Sequence, residues 1–163
     1  VESLNRYSMK SDLPKMESNI NTILDGCLVL LYNKTKNRIE IEKQYCCDEI
    51  IVYSNEGQLQ QAFLNILTNA VYAIGDKGKI VVKTDLDANN AYVSITDNGC
   101  GISKENLTKI TDPFFTTKPP GQGTGLGLSI TYSIISEHGG TLEFDSEKGK
   151  GTTVKLILPR VTP

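Results

Sequence analysis

Hydrophobic residues recur at a spacing of about three or four in three stretches of the chain, and each stretch predicts an amphipathic helix. The first helix is predicted from about Ile20 to Tyr32 and the last from about Leu126 to Glu137. The clearest helix begins after Asn55, a suitable N-cap with Gln58 three residues later, and keeps its apolar side as far as Ile74.

Shorter runs of alternating or continuous apolar residues predict six strands. They lie at about residues 38–44, 50–53, 79–84, 91–96, 141–145 and 152–158. The third and fourth runs are joined by a short polar segment, which predicts a hairpin. Because helices and antiparallel strands are mixed, we expect an α+β fold, a two-layer sandwich in which about three helices cover one face of a mixed, mostly antiparallel sheet.

The length of 163 residues and the 39% hydrophobic content predict one domain with a single core. Residues 1–18 are polar and contain Pro14, so they are interpreted as the tail of a helix and a linker, with the domain at 19–163. A net charge of −2 provides no general attraction for nucleic acid, and no nucleic-acid partner is expected. If the chain binds a phosphate group, a small cluster of residues must do so, because the overall charge gives no attraction.

Cysteine usage indicates reduced, intracellular thiols. Cys46 and Cys47 are adjacent, Cys27 and Cys100 are isolated, and no C-x-x-C motif is present, so the sequence suggests neither a zinc site nor a disulfide framework. No apolar run approaches the roughly 20 residues of a membrane span.

Six of the fourteen glycines lie between Asp97 and Ser129, in the clusters D-N-G-C-G-I (97–102) and G-T-G-L-G-L-S-I (123–130). Glycine permits positive φ and close backbone approach, and the second cluster runs into a predicted helix whose amides could bind an anion. Neither Gly-Lys pair is followed by Ser or Thr, which excludes a Walker loop, and no frame completes G-x-G-x-x-G, which excludes a dinucleotide fingerprint. The clusters predict a phosphate site of another class.

Asparagines on the long helix and an aspartate after a strand are candidates for that site. Asn65 and Asn69 share one helical face, and an amide oxygen is a suitable Mg²⁺ ligand, although two asparagines can equally decorate a wet surface. Asp97 follows a predicted strand. Its carboxylate could accept a hydrogen bond from the amine of adenine, or D-N-G could simply be a turn.

The segment 111–122 is rich in proline and lacks periodicity, which predicts a mobile lid. Within it, Lys118 could neutralise a terminal phosphate, whereas Phe114 and Phe115 could serve only as core anchors. Thr152, after Gly151, could contact adenine or be an ordinary strand residue. These alternatives remain open on local pattern alone.

The motifs occur in a fixed order that resembles the N, G1, F, G2 and G3 boxes of sensor histidine kinases. The matching segments are Q-A-F-L-N-I-L-T-N-A (61–70), D-N-G-C-G-I, D-P-F-F-T-T-K (112–118), G-T-G-L-G-L-S-I and G-K-G-T (149–152). Five boxes in order are far more specific than any single motif. The resemblance implies the Bergerat ATP-binding fold of the GHKL superfamily, with ATP and Mg²⁺ as cofactors.

Roles carried over from the family fall on residues of all five boxes. The resemblance implies that Asn69 holds Mg²⁺, that Asn65 supports the metal and phosphates, and that Lys118 reaches the γ-phosphate. It implies that Asp97 recognises the adenine amine, with Thr152 beside it. The remaining implied nucleotide-binding residues are Gly99, Gly101, Ile102, Thr117, Gly123, Thr124, Gly125, Leu126, Gly127 and Leu128.

Departures from the family pattern bear on the reaction. Relatives that hydrolyse ATP carry a general-base glutamate where this chain has Asn65, so water activation is not expected. Tyr72 and Ala73 replace a basic residue and tyrosine found in some kinases, which leaves Lys118 as the cation, as in the nitrogen-sensor-like branch. The single histidine, His138, ends a predicted helix and is interpreted as a structural cap.

The resemblance therefore implies the catalytic domain of a two-component sensor kinase that transfers the γ-phosphoryl group of Mg·ATP to a histidine on an absent dimerisation domain. Residues 1–18 resemble only the tail of that domain. A homodimeric parent, a response regulator receiver domain as partner and a cytoplasmic location, free or as part of a membrane-bound sensor, are implied as well. Alternatives are a GHKL-type serine kinase, a conformational ATPase and a non-catalytic nucleotide-binding regulator.

Overall fold

The structure, a computed structural model, describes residues 14–110 and 127–161. Its strands and helices alternate irregularly along the chain. The strands are β1 (Met16–Asn19), β2 (Ile39–Tyr45), β3 (Ile51–Ser54), β4 (Gly78–Leu86), β5 (Asn90–Asp97), β6 (Thr141–Glu147) and β7 (Gly151–Pro159). The helices are α1 (Ile20–Leu30), α2 (Tyr32–Thr35), α3 (Glu56–Ile74), α4 (Lys104–Leu107) and α5 (Gly127–Glu137).

Five strands form the main sheet in the order β2-β4-β5-β7-β6, and β1 pairs with β3 in a separate two-stranded sheet. All of these pairs are antiparallel except β2 with β4. The predicted hairpin is the β4–β5 pair, and the predicted mixed, mostly antiparallel sheet is confirmed. Strand β1 begins at Met16, so part of the segment interpreted as a linker is paired into the folded unit.

Burial alternates along the central strands and shows which face the helices cover. Val82, Ile95 and Val154 lie side by side in one row across β4, β5 and β7 and are buried. The next row along, Lys83, Ser94 and Lys155, is at least partly exposed. The sheet therefore has one covered face, as predicted, with α1, α3 and α5 as its longer helices.

Helix α3 lies at the centre of the core because its apolar stripe is continuous over its whole length. Leu59, Phe63 and Leu67 have no exposed surface. The helix starts as predicted: the Asn55 side chain accepts a hydrogen bond of 3.1 Å from the amide of Gln58. Removing such a cap typically destabilises a protein by about 1 kcal/mol.

His138 connects the end of α5 to the start of α3. Its Nδ1 lies 2.7 Å from the carbonyl oxygen of Ile134, and its Nε2 accepts a hydrogen bond of 3.1 Å from the amide of Asn55. Nδ1 must carry the hydrogen, because Nε2 acts as an acceptor and a carbonyl can only accept. This neutral tautomer agrees with the structural role expected for His138.

Within residues 14–110 and 127–161, no helix combines the length and the apolar character needed to cross a membrane.

We expect protonation of His138 to destabilise the domain. Burial lowers the pKa of the His138 imidazole, and a proton on Nε2 would remove the acceptor for the Asn55 amide. The unfolded chain therefore binds the proton more readily than the native one, and stability falls as the pH drops below the unfolded value of about 6.5 toward the lower native pKa. Urea unfolding measured between pH 5 and 7.5 tests this.

The matched variant for this measurement is His138→Ala. It should lose about 1–3 kcal/mol at neutral pH, because the buried Asn55 amide loses the imidazole acceptor. It should also show a weaker dependence of unfolding free energy on pH than the parent chain. Equal pH dependence in the two proteins would contradict the role assigned to the ring.

Candidate functional site

A buried carboxylate stands at the end of β5. Asp97 is the last residue of that strand, and its register partner on β7 is Thr152, which is also buried. The Asp97 carboxylate accepts a hydrogen bond of 2.8 Å from the Gly99 amide and another from the Thr152 backbone. Burial raises the pKa of the Asp97 carboxyl, and the two amide hydrogen bonds oppose that rise. The result is a desolvated acceptor held in one orientation.

Ser146 on β6 completes this cluster, and the sequence interpretation missed it. Its Oγ lies 2.7 Å from the hydroxyl oxygen of Thr152, its register partner, and accepts a 2.7 Å hydrogen bond from the Ile102 amide. It also donates to the carbonyl of Gly151 at 2.9 Å. A hydroxyl has one hydrogen, so when Ser146 donates to Gly151 the Thr152 hydroxyl donates to Ser146. Thr152 then presents only acceptor lone pairs.

A signal for Ser146 does exist in the sequence. Leu142, Phe144 and Ser146 alternate along β6 and are all partly buried, so a hydroxyl stands where the row of inward-facing residues should continue with an apolar side chain. A polar residue in such a row needs a hydrogen-bond partner. Only the pairing of β6 with β7 reveals that the partner is Thr152.

The first glycine cluster needs glycine because neighbouring backbone segments leave no room for a Cβ atom. Gly101 has a φ of +72°, and a Cβ there would overlap the carbonyl of Glu147 in the turn between β6 and β7. At Gly99, a Cβ would overlap the backbone of Ala73 at the end of α3. The two glycines thus hold the loop after Asp97 against α3 on one side and against β6 on the other.

Asn65 of α3 faces the start of α5. The Asn65 amide nitrogen donates to the carbonyl of Gly127 at 3.1 Å and lies 3.3 Å from the Thr131 hydroxyl. Thr131 is buried and donates to the same carbonyl at 2.8 Å. Asn69 follows four residues after Asn65, and both side chains are half-buried. Asn65 therefore ties α3 to the first turn of α5 through its nitrogen.

The described part of this face offers oxygen atoms as ligands. Asn65 and Asn69 contribute neutral amides, and Gln61, one turn earlier, has a buried Oε1 with no hydrogen-bond partner among the described residues. Mg²⁺ prefers oxygen ligands and usually needs only one or two from the protein. No group of three or more His, Cys, Asp or Glu within residues 14–110 and 127–161 is placed to hold a metal ion.

Of the remaining predicted site residues, Gly127 and Leu128 begin α5 and are half-buried, and Ile102 is held by Ser146. The predicted lid at 111–122 lies outside the described residues. So do six residues predicted to bind nucleotide, namely Thr117, Lys118, Gly123, Thr124, Gly125 and Leu126. The structure thus brings together the predicted adenine-side residues and, separately, Asn65 with the start of α5.

Comparison with known proteins agrees with this arrangement. A family model described as histidine kinase-, DNA gyrase B-, and HSP90-like ATPase matches residues 54–162. The sensor histidine kinase ZraS of Escherichia coli is 36% identical over 86% of this chain and 30% of its own length. Sporulation kinase C of Bacillus subtilis is 38% identical over 86% of this chain and 33% of its own. The chain thus spans about a third of these curated relatives.

Solved structures with the same fold are histidine kinases. The nucleotide-free catalytic domain of ThkA has a TM-score of 0.81 at 32% identity, over 91% of this chain and 97% of that one. ThkA bound to the response regulator TrrA gives 0.78 at 28% identity, covering 90% and 42%. Full-length ShkA in complex with AMPPNP gives 0.81 at 25% identity, covering 93% and 32%. In sequence and in fold, the chain belongs to the family of histidine kinase-, DNA gyrase B-, and HSP90-like ATPases.

Proposed function

We propose that this chain is the catalytic domain of a sensor histidine kinase and presents the γ-phosphoryl group of Mg·ATP to a histidine on a separate dimerisation domain. The presence of an asparagine at position 65 is the observation that favours phosphotransfer over hydrolysis. Asn65 occupies the position of the glutamate base of the hydrolysing relatives, and its amide nitrogen is used to hold Gly127 and Thr131. An amide cannot accept a proton from water, so the site lacks a base at that position.

Adenine recognition is assigned to the end of β5. Adenine carries an exocyclic amine, which donates hydrogen bonds, whereas guanine has an acceptor oxygen at that position. Asp97 is a desolvated acceptor, and Ser146 can hold the Thr152 hydroxyl so that its oxygen also accepts. An acceptor suits the C6 amine of adenine, and it would repel the C6 oxygen of a guanine bound in the same orientation.

Magnesium fits the oxygen donors of α3. Asn69 would hold the ion directly, while Asn65 would orient the phosphate end of the site through its contact with the first turn of α5. When bound, Mg²⁺ neutralises charge on the phosphates. Lys118 is proposed as the cation for the γ-phosphate, and the lid and the second glycine cluster as the elements that enclose the phosphates.

Partners are proposed from the named relatives. The complex of ThkA with TrrA supports a response regulator receiver domain as partner. The complex of ShkA with AMPPNP supports ATP as the nucleotide. A homodimeric parent, the acceptor role of a dimerisation domain, the cytoplasmic location and the nitrogen-sensor-like branch stay predictions. The GHKL-type serine kinase and the conformational ATPase are less favoured, since the relatives found are sensor and sporulation kinases.

Phosphotransfer is tested with γ-labelled ATP and the dimerisation domain of the parent protein, prepared separately. We expect little release of free phosphate by the chain alone and an acid-labile label on the dimerisation domain, as a phosphohistidine gives. An acid-stable label would indicate a serine kinase. Rapid phosphate release without transfer would indicate an ATPase, and binding without either reaction a regulator.

Replacing the proposed magnesium ligand should weaken nucleotide binding only when magnesium is present. We expect Asn69→Ala to reduce the affinity for ATP about tenfold in Mg²⁺, because one ligand oxygen is lost. In excess chelator, variant and parent should bind alike. Thr22→Ala, at an exposed position of α1, is the control and should not change calorimetric titrations. Equal affinities of parent and Asn69→Ala in Mg²⁺ would contradict the assignment.

Ser146 should affect adenine binding without touching the nucleotide's phosphates. We expect Ser146→Ala to reduce ADP affinity about fivefold, or about 1 kcal/mol, because the Thr152 hydroxyl loses its fixed direction. The preference for ADP over GDP should fall as well, because only Asp97 would remain as a fixed acceptor once the Thr152 hydroxyl can turn. Calorimetry below the unfolding temperature measures both ligands. Ser94→Ala, on the open face of the sheet, is the control, and unchanged selectivity in Ser146→Ala would refute this role.

A further inference from the structure

Two adjacent thiols lie at the end of the sheet opposite the nucleotide site. Cys46 and Cys47 follow β2 and are exposed, and their sulfur atoms are 3.2 Å apart. Tyr45 pairs with Thr84 on β4, whereas Asp97 pairs with Ile80. At about 3.3 Å per residue, the two ends are roughly 13 Å apart along β4. The pair therefore serves neither the adenine cluster nor the asparagine face.

The backbone around the two thiols is held on both sides. The Cys46 amide donates to the carbonyl of Thr84 at 3.2 Å. The side chain of Asn21, a buried residue of α1, donates to the carbonyl of Cys47 at 2.8 Å. The Cys47 thiol itself lies 3.4 Å from the carbonyl of Glu49. These contacts hold the backbone of both cysteines and the Cys47 sulfur in place, with the Cys46 sulfur 3.2 Å away, before any ligand arrives.

We propose that Cys46 and Cys47 form a dithiol site that binds trivalent arsenicals through both sulfur atoms. With an arsenoxide R–As=O, each sulfur forms one bond to arsenic. The two thiol hydrogens leave with the oxygen as one molecule of water. No oxidant or reductant is needed, because arsenic remains trivalent.

The distance between the sulfurs selects this ligand class. The two sulfurs are 3.2 Å apart. If each bonds to one arsenic atom at about 2.3 Å, the length of a metal–thiolate bond, the S–As–S angle is about 90°. A trivalent arsenic atom with a lone pair bonds through p orbitals at nearly right angles. Zinc prefers the wider tetrahedral angle and usually four ligands.

A disulfide is a poorer outcome for this pair. The Cα atoms of adjacent residues are about 3.8 Å apart, below the usual disulfide range of roughly 4.4–6.8 Å. Closing the bond would also require the sulfurs to approach to about 2.05 Å. A bridging atom avoids both demands, since it leaves the sulfurs where they are.

Protonation also favours an arsenical over a metal cation. Desolvation, with hydrogen bonding to Cys47, raises the pKa of the Cys46 thiol to about 11, so this thiol is protonated at neutral pH. A divalent cation must displace thiol protons, and a high pKa opposes that displacement. Condensation with an arsenoxide transfers the thiol hydrogens to the departing oxygen as water, so a high thiol pKa does not oppose it through the release of free protons.

Phenylarsine oxide is the probe. The reduced chain should bind one equivalent, with the mass increase of the reagent less one water in native mass spectrometry. A dithiol competitor should remove it and a monothiol should not. Cys46→Ser and Cys47→Ser should each lower the affinity about 100-fold, because a two-point attachment becomes single. Cys100→Ser, at an exposed isolated thiol, should bind like the parent. Parent-like affinity in either of the first two variants would overturn the proposal.

Two further measurements test whether the fold builds the site. A peptide of residues 43–50 contains both thiols without the contacts to Asn21 and Thr84, and we expect it to bind the reagent about tenfold more weakly than the chain. Equal affinities of the peptide and the chain for phenylarsine oxide would contradict a site built by the fold. Displacement of the reagent by equimolar Zn²⁺ would contradict the preference for arsenicals over zinc. None of these results depends on nucleotide binding or phosphotransfer.

Discussion

Burial of helix α3 against the five-stranded sheet governs the positions of both ends of the proposed site. Its apolar stripe, with Phe63 at the centre, is fully enclosed, so the rotation of the helix about its axis is set by the core. Asn65 then faces the start of α5, and Asn69 lies one turn further along the same side of the helix. The same helix begins at the amide contacted by His138 and ends near Ala73, where Gly99 packs. The packing of α3 thus positions the proposed phosphate end, and the last turn of α3 forms one wall against which the loop at the proposed adenine end packs.

The two ends of the site are built differently. The proposed adenine end is rigid, because Asp97, Thr152 and Ser146 lie on three adjacent strands and are joined by short hydrogen bonds. The phosphate end is formed where α3 meets α5, and Asn65 makes hydrogen bonds across that contact. Under the proposed function, a rigid end for the base and a helix contact at the phosphate end suit an enzyme that must bind and release nucleotide.

Local chemistry is enough to predict much of this chain. The Asn55 cap, the β4–β5 hairpin and the end of α5 at His138 depend on neighbouring residues, and the sequence predicts all three. It does not predict the parallel pairing of β2 with β4, because those strands are separated by β3 and α3 and no local pattern specifies which distant strand completes a sheet. The pairing of β1, whose first residues fall in the segment interpreted as a linker, is not predicted for the same reason. The partner of β1 is β3, more than thirty residues later.

The class of site is encoded in the chain whatever its packing, since it follows from the order and spacing of the glycine, asparagine and aspartate motifs. The covered face of the sheet is encoded as well, because alternation along a strand separates apolar from polar residues. Other features exist only once the chain has folded: Ser146 supports Thr152, Gly101 packs against Glu147, and Asn21 holds the backbone of Cys47. The last two contacts join residues far apart in sequence, and the first depends on the pairing of two strands. Hydrogen bonds and steric contacts act over a few ångströms in space, so no local pattern can predict them.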